Sequence, residues 1–195
     1  MNSQYGMIAT ACIGILAASI VLSACGPEDD GELQAAADRP VDAASQPQDR
    51  PVATYDITDA DGTVVGRVTL TDGAGGMLLE TEIDGLAPGE HGFHLHETGV
   101  CEPPFESAGG HFAPGGRAHG LLSDEGPHAG DLPNLVVGEE ASTTVAHTWV
   151  DGLSIGVLTE ADGSALVVHA DPDDYRTDPA GAAGDRVACA EIVSP

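Results

Sequence analysis

The sequence predicts an all-β domain: an eight-stranded antiparallel Greek-key β-sandwich or flattened barrel, immunoglobulin-like, with two long functional loops. Three observations predict it. Short runs of alternating apolar and polar residues recur across 51–195, Asp-Gly pairs and other glycine turns separate them, and little of that region follows a helical period.

Val52 to Thr58 reads as the first strand, with Tyr55 and Ile57 on one face. Asp61-Gly62 turns the chain, and Val64, Val68 and Leu70 carry the second strand toward Asp72-Gly73. In Met77 to Ile83 the residues Leu79, Thr81 and Ile83 alternate with Leu78, Glu80 and Glu82, the period of a half-buried strand. Asp84 to Gly89 connects to a fourth strand, Glu90 to Glu97. From Thr98 to Pro133 the pattern stops amid Gly and Pro; a loop of that length inside a compact domain needs something to order it, and metal ions with a disulfide would do so. Strand signal returns at Leu135 to Val137 and Thr143 to Trp149. Leu153 to Leu158 reads as a short strand or a turn, and Ala165 to His169 as a core strand. Asp171 to Asp185 is a second polar loop, and Val187 to Val193 closes the domain.

Ahead of that domain, residues 1–24 carry no charged side chain, and Met7 to Leu22 is almost wholly apolar or small. Leu22-Ser23-Ala24-Cys25 follows in the order of a bacterial lipobox, so 1–24 is expected to be a lipoprotein signal peptide and Cys25 the lipid-modified residue. Asn2, Ser3 and Gln4 stand where Lys or Arg usually do, and the apolar run is short for a membrane span. Residues 25–50, acidic and without helix or strand period, read as a disordered tether.

The formal charge is −26, from 32 acids against six arginines and no lysine. Such a surface excludes nucleic acid as a partner and limits membrane contact to the N-terminal lipid. Cys12 lies in the leader, which leaves Cys101 and Cys189 for the domain; in an exported chain these two are expected to pair. The localisation implied is exported and lipid-anchored to a bacterial membrane, facing the periplasm or exterior.

Candidate chemistry begins at His91-Gly92-Phe93-His94-Leu95-His96. His94 and His96 are two apart, so on a strand both rings project from one face, while His91 has the opposite parity. Imidazole suits copper and zinc, and His111, His119, His128, Asp131 and His169 follow, more ligands than one ion needs. His147, beside Trp149, is expected to be a surface or packing residue.

Taken as an ordered set, HGFHLH, Gly109-Gly110-His111-Phe112, His119-Gly120, Gly126-Pro127-His128-Ala129-Gly130-Asp131-Leu132-Pro133, Leu166-Val167-Val168-His169 and Gly184-Asp185-Arg186-Val187-Ala188-Cys189 resemble the copper,zinc superoxide dismutases in their bacterial exported form. The resemblance spans about Tyr55 to Ile192. It implies dismutation of superoxide anion to dioxygen and hydrogen peroxide by copper alternating between Cu(2+) and Cu(+), with Zn(2+) as second cofactor. It implies that His94, His96, His111 and His169 hold copper, that His111 bridges the metals, and that His119, His128 and Asp131 complete the zinc site. It further implies that Asp173 is an outer carboxylate linking ligands of the two metals, that His91 has a structural hydrogen-bonding role, and that Arg186 holds the incoming anion, making Arg186 and His111 the catalytic side chains. Monomer and homodimer both remain open.

Two departures stand out: Ala190-Glu191 replaces the usual Gly-Val after Cys189, placing the packing of the last strand in question, and Asp171-Pro172 replaces small residues where a proline could shift Asp173. The alternatives are a non-catalytic exported copper/zinc-binding or buffering module, and a sandwich whose histidines bind only zinc. Retention of all four copper-side histidines and Arg186 argues against both.

Overall fold

A computed structural model describes residues 50–140 and 143–194. The expected signal peptide, Cys25 and the expected tether up to residue 49 lie outside them. Within the described residues the chain forms nine strands: β1 Val52–Asp59, β2 Val64–Gly73, β3 Gly76–Asp84, β4 Gly89–His91, β5 Phe93–His96, β6 Leu135–Val137, β7 Thr143–Asp151, β8 Ser164–His169 and β9 Arg186–Ile192. Seven lie in one antiparallel sheet, ordered β5-β8-β9-β1-β2-β3-β7, and β4 pairs with β6 in a second. The result is a Greek-key β-sandwich or half-barrel with minimal helix.

Alternation builds its core. Ile57, Val68, Leu70, Met77, Leu79 and Ile83 are buried, and they pack with Phe93, Leu95, Leu132, Leu135, Leu166 and Ile192 from the site end. At about 25 cal/mol per Å2 of apolar surface removed from water, this cluster is the main force holding the sheet closed. Thr81 shares the inward face of β3, and its Oγ1 is buried without a hydrogen-bond partner among the described residues.

Two elements differ from the sequence expectation. The single strand expected over Glu90 to Glu97 is two strands in different sheets, because the chain changes sheet at Gly92. A Cβ there would lie 2.6 Å from Ala183 Cβ, so only glycine lets the second loop approach. Gly92 N–H donates to Asp171 O, and its own carbonyl accepts from His169 N–H, both at 2.8 Å. The segment Leu153 to Leu158 holds a single helical turn, α1 Ile155–Leu158, capped by Ser154 Oγ.

The first long loop follows the free edge of β5. Leu95 N–H donates to Gly130 O, Phe112 N–H to Leu95 O and Glu97 N–H to Gly110 O, with isolated bridges pairing His94 with Asp131 and His96 with His111. The loop therefore brings His111 and Asp131 against the two histidines of β5. A disulfide joins Cys101 to Cys189 in β9, with Cα atoms 5.8 Å apart.

Candidate metal centre

β5 and β8 supply His94, His96 and His169; the first loop supplies His111, His119, His128 and Asp131. Strand pairing, with Phe93 opposite Val168, puts the end of β8 beside the start of β5. The donor atoms of His94, His96, His111 and His169 lie within 4.8 Å of one another, as do those of His111, His119, His128 and Asp131. The two groups share His111. All these side chains are buried except that of His128, which is partly so.

Hydrogen bonds determine which ring atoms are free. His94 donates from Nε2 to Asp173 Oδ2 at 2.7 Å, His96 from Nδ1 to Gly109 O at 3.1 Å, and His169 from Nδ1 to Gly184 O at 3.2 Å. A neutral imidazole carries one N–H, so each such bond leaves a lone pair on the other nitrogen. Those nitrogens, His94 Nδ1, His96 Nε2 and His169 Nε2, together with His111 Nε2, are buried and have no partner among the described residues. Four inward lone pairs without donors fit one cation with an all-nitrogen preference.

The second group converges on one oxygen. Nδ1 of His111, His119 and His128 lie 2.8, 3.1 and 3.1 Å from the one oxygen Asp131 Oδ1. Around a tetrahedral ion with bonds of about 2.0–2.1 Å, ligand atoms sit about 3.3 Å apart, so these spacings suit zinc with three nitrogens and one carboxylate. His119 shows why a cation is needed. It donates from Nε2 to Asp173 Oδ1 at 3.0 Å, which leaves a lone pair at Nδ1 facing the Asp131 carboxylate. The other oxygen, Asp131 Oδ2, accepts from Gly120 and His128 backbone N–H groups and is thereby oriented.

Electrostatics favour the metal-binding protonation states. Burial, reinforced by the neighbouring His111 ring and Arg186, lowers His96 from the usual histidine range to about 2. Burial and then His94 bring His169 down to about 3. Burial lowers His111 as well, against the opposing hydrogen bond to Asp131. For Asp131, burial acts upward, but hydrogen bonds from His111 and Gly120 outweigh it and hold the carboxyl well below its ordinary value. At Asp173, burial is likewise outweighed by bonds from His94, Tyr175 and His119, and the group falls to about 2.

Arg186, at the start of β9, donates from Nη1 to Phe105 O at 2.5 Å and from Nη2 to Gly109 O at 2.7 Å. Five guanidinium N–H groups less these two leave three for an anion. Phe105 is fully buried beside the disulfide and holds φ at 71°, a left-handed conformation that turns its carbonyl to Arg186. Asp59, Asp61, Glu106 and Asp185 line the cavity next to Arg186.

The remaining sequence candidates are placed as follows. Asp173 contacts one ring of each group, and Pro172 does not displace it from them. His91 sits on β4 with Nδ1 2.8 Å from His169 O and Nε2 2.8 Å from Ala87 O, both nitrogens turned to backbone oxygens. His147 pairs with Glu80 at 3.4 Å on the exposed face of β7, away from both groups. Ala190 is buried in the core, and Glu191 Oε1 accepts Cys101 N–H at 2.8 Å, so the last strand packs normally. Sequence reasoning misses Asn134, Tyr175 and Asp178, which hold the loops around the ligands. The contacts that join the loops are long-range hydrogen bonds, with no spacing to signal them.

The family described as copper/zinc superoxide dismutase (SODC) matches residues 64–192. The chain is similar to Cu-Zn superoxide dismutase 2 of Aquifex aeolicus, 43% identical over 147 residues covering 72% of this chain and 85% of that protein. It is similar to the Cu-Zn superoxide dismutase of Caulobacter vibrioides, 42% identical over 148 residues covering 72% and 84%. Among solved structures, a SOD-like protein from Bacillus subtilis superposes with a TM-score of 0.70 at 33% identity, covering 73% of this chain and 100% of that one.

Proposed function

Because this chain belongs to the copper/zinc superoxide dismutase family, we propose that His94, His96, His111 and His169 hold copper, that His111, His119, His128 and Asp131 hold zinc, and that Arg186 guides superoxide to them. The activity is dismutation: two superoxide anions and two protons give one dioxygen and one hydrogen peroxide. Bound copper supplies the one-electron exchange that no acid or base side chain can provide, and bound zinc supplies a redox-inert positive charge. The observation carrying this reading is the set of four buried, unpartnered ring nitrogens, one of them on the ring that also faces Asp131.

The chain's own residues do the rest. His111 presents Nδ1 to the zinc group and Nε2 to the copper group, so Nε2 is the atom at which a proton can be held for the reduced oxygen species while Nδ1 keeps the ring in place. Asp173 fixes the rings of His94 and His119 by accepting from each. Arg186, its own position set by two carbonyls, binds the anion by charge and hydrogen bonds.

Metal analysis with a superoxide assay tests the reading. One copper and one zinc per chain with activity, and a fall in rate of about tenfold or more in Arg186→Ala, are expected. Two metals without activity would favour the buffering module, zinc alone the structural one, and an unchanged Arg186→Ala rate would remove that residue as anion guide.

For the protein as a whole we propose export and lipid anchoring at Cys25. The Leu22-Ser23-Ala24-Cys25 order supports this, and the Cys101–Cys189 disulfide suits an oxidising compartment. Cys25→Ser is expected to move the protein from the membrane to the soluble fraction; unchanged fractionation would contradict the anchor.

A further inference from the structure

We infer that Asn134 is a positioning residue for both ligand groups, acting through Asp173; the inference rests on the copper and zinc assignment above and extends it to a residue that belongs to neither group. Asn134 stands immediately before β6, at the end of the first long loop. Its carboxamide grips the Asp173 backbone from two sides: Oδ1 accepts Asp173 N–H at 2.9 Å, and Nδ2 donates to Asp173 O at 3.0 Å. Its own backbone N–H donates to Tyr175 Oη at 2.8 Å, so the grip is itself held.

What is gripped matters. The Asp173 carboxylate accepts from His94 Nε2 through one oxygen and from His119 Nε2 through the other. Asp173 Oδ1 also accepts Tyr175 N–H at 2.6 Å, which sets the rotation of the carboxylate. Behind it lies Gly181, φ 64°; a Cβ there would overlap Asp173 Oδ1 and lie 2.8 Å from His119 Nε2. Asp173 is thus clamped through its backbone by Asn134 and enclosed through its side chain by Gly181. A displacement of the Asp173 peptide reaches one ring in each group.

The side-chain chemistry of Asn is specific to this task. Only a carboxamide offers an acceptor and a donor at the spacing of a backbone C=O and N–H. Asp keeps the acceptor and loses the donor, setting a carboxylate against the Asp173 carbonyl; Ala loses both. Other bonds join the same two loops without touching Asp173, such as Arg176 Nη1 to Leu122 O at 3.2 Å, and provide the control.

The test compares full-length wild type, Asn134→Ala, Asn134→Asp and Arg176→Ala. It measures zinc and copper retention against a competing chelator, the copper(II) electron paramagnetic resonance spectrum, and the Tm of the metal-free protein. Asn134→Ala is expected to weaken retention of both metals by about tenfold or more and to change the copper(II) spectrum, the effect typical of losing a partner that orients a ligand ring. Asn134→Asp is expected to fall between Asn134→Ala and wild type, and covers the case in which the alanine variant does not fold. Arg176→Ala is expected to keep the wild-type spectrum and retention within about twofold. A lowered metal-free Tm in Asn134→Ala with unchanged spectrum and retention would overturn the inference, as would an Arg176→Ala variant matching Asn134→Ala. Failure of the wild type to take up both metals would instead sink the metal assignment itself.

Discussion

The two ends of this domain bury different things. In the sheet of β1, β2, β3 and β7, the interior is Ile57, Val68, Leu70, Met77, Leu79, Ile83 and Val150, with Thr81 Oγ1 the one buried side-chain atom left unpaired among the described residues of these strands. Around β5, β8 and the two loops, the interior also holds His94, His96, His111, His119, Asp131, His169 and Asp173. Hydrophobic burial completes the first end by itself. The second is closed by a disulfide and loop hydrogen bonds, yet leaves lone pairs facing one another that a bound cation would satisfy. The sheet is therefore a scaffold complete without metal, and the loop end is a receptor completed by it.

The largest expected effect separates the ends by their covalent tie. Cys101→Ser with Cys189→Ser opens a bridge across a sequence separation of 88 residues. In the loop-entropy account this costs about 4.6 kcal/mol. Denaturant unfolding of the oxidised protein and the double variant measures it; equal midpoints would show that the loop end does not depend on the bridge.

Acid should strike the loop end next. His96 and His169 fall to about 2 and about 3 in the fold, below the unfolded value near 6.5, so between these limits the unfolded chain binds more protons and stability drops as pH falls. The metal-free protein is expected to lose about 1.4–2.7 kcal/mol per pH unit between about pH 6 and 5, equivalent to one to two protons. Asp131 and Asp173, both lowered, add stability above their unfolded value that is lost only below about pH 4. Urea unfolding across pH measures the slope; a flat profile from pH 7 to 5 would contradict the burial argument.

A smaller effect concerns the substrate's approach. The net charge of −26 and the acids lining the cavity beside Arg186 oppose an anion over distances that salt shortens. Raising salt from about 10 to 150 mM is expected to increase the dismutation rate constant about twofold. A falling rate would show that the local field of Arg186 dominates.

The last prediction tests the scaffold end. Thr81→Val removes a buried hydroxyl without a partner, with little change of shape, and is expected to raise stability by about 1 kcal/mol while leaving metal content unchanged. A loss of stability would mean that the hydroxyl is satisfied in solution.

The same contrast governs what the sequence could reveal. Alternation such as Leu79-Glu80-Thr81-Glu82-Ile83 reads directly as a strand with a buried face, because burial on a pleated sheet imposes period two. The break at Gly92 is only half legible: a glycine inside a strand run marks a bulge or a close approach, but the cause, Ala183 pressing on it, lies far along the chain. One helical turn at α1 is too short for a helical period, although Ser154 is a capping residue in plain view. At the site, ligand types and order were legible, and the resemblance sorted them into groups. Which ring nitrogen is free was not, because Gly109 O, Gly184 O and Asp173 decide it from far along the chain. Asn134 was silent for the same reason.

Anomalous diffraction from crystals of the copper- and zinc-loaded protein tests the central claim most directly. The account predicts one copper peak at bonding distance, about 2.0–2.1 Å, from His94 Nδ1 and from Nε2 of His96, His111 and His169, and one zinc peak bonded to Nδ1 of His111, His119 and His128 and to Asp131. A copper peak that leaves His94 or His169 outside bonding range would contradict it.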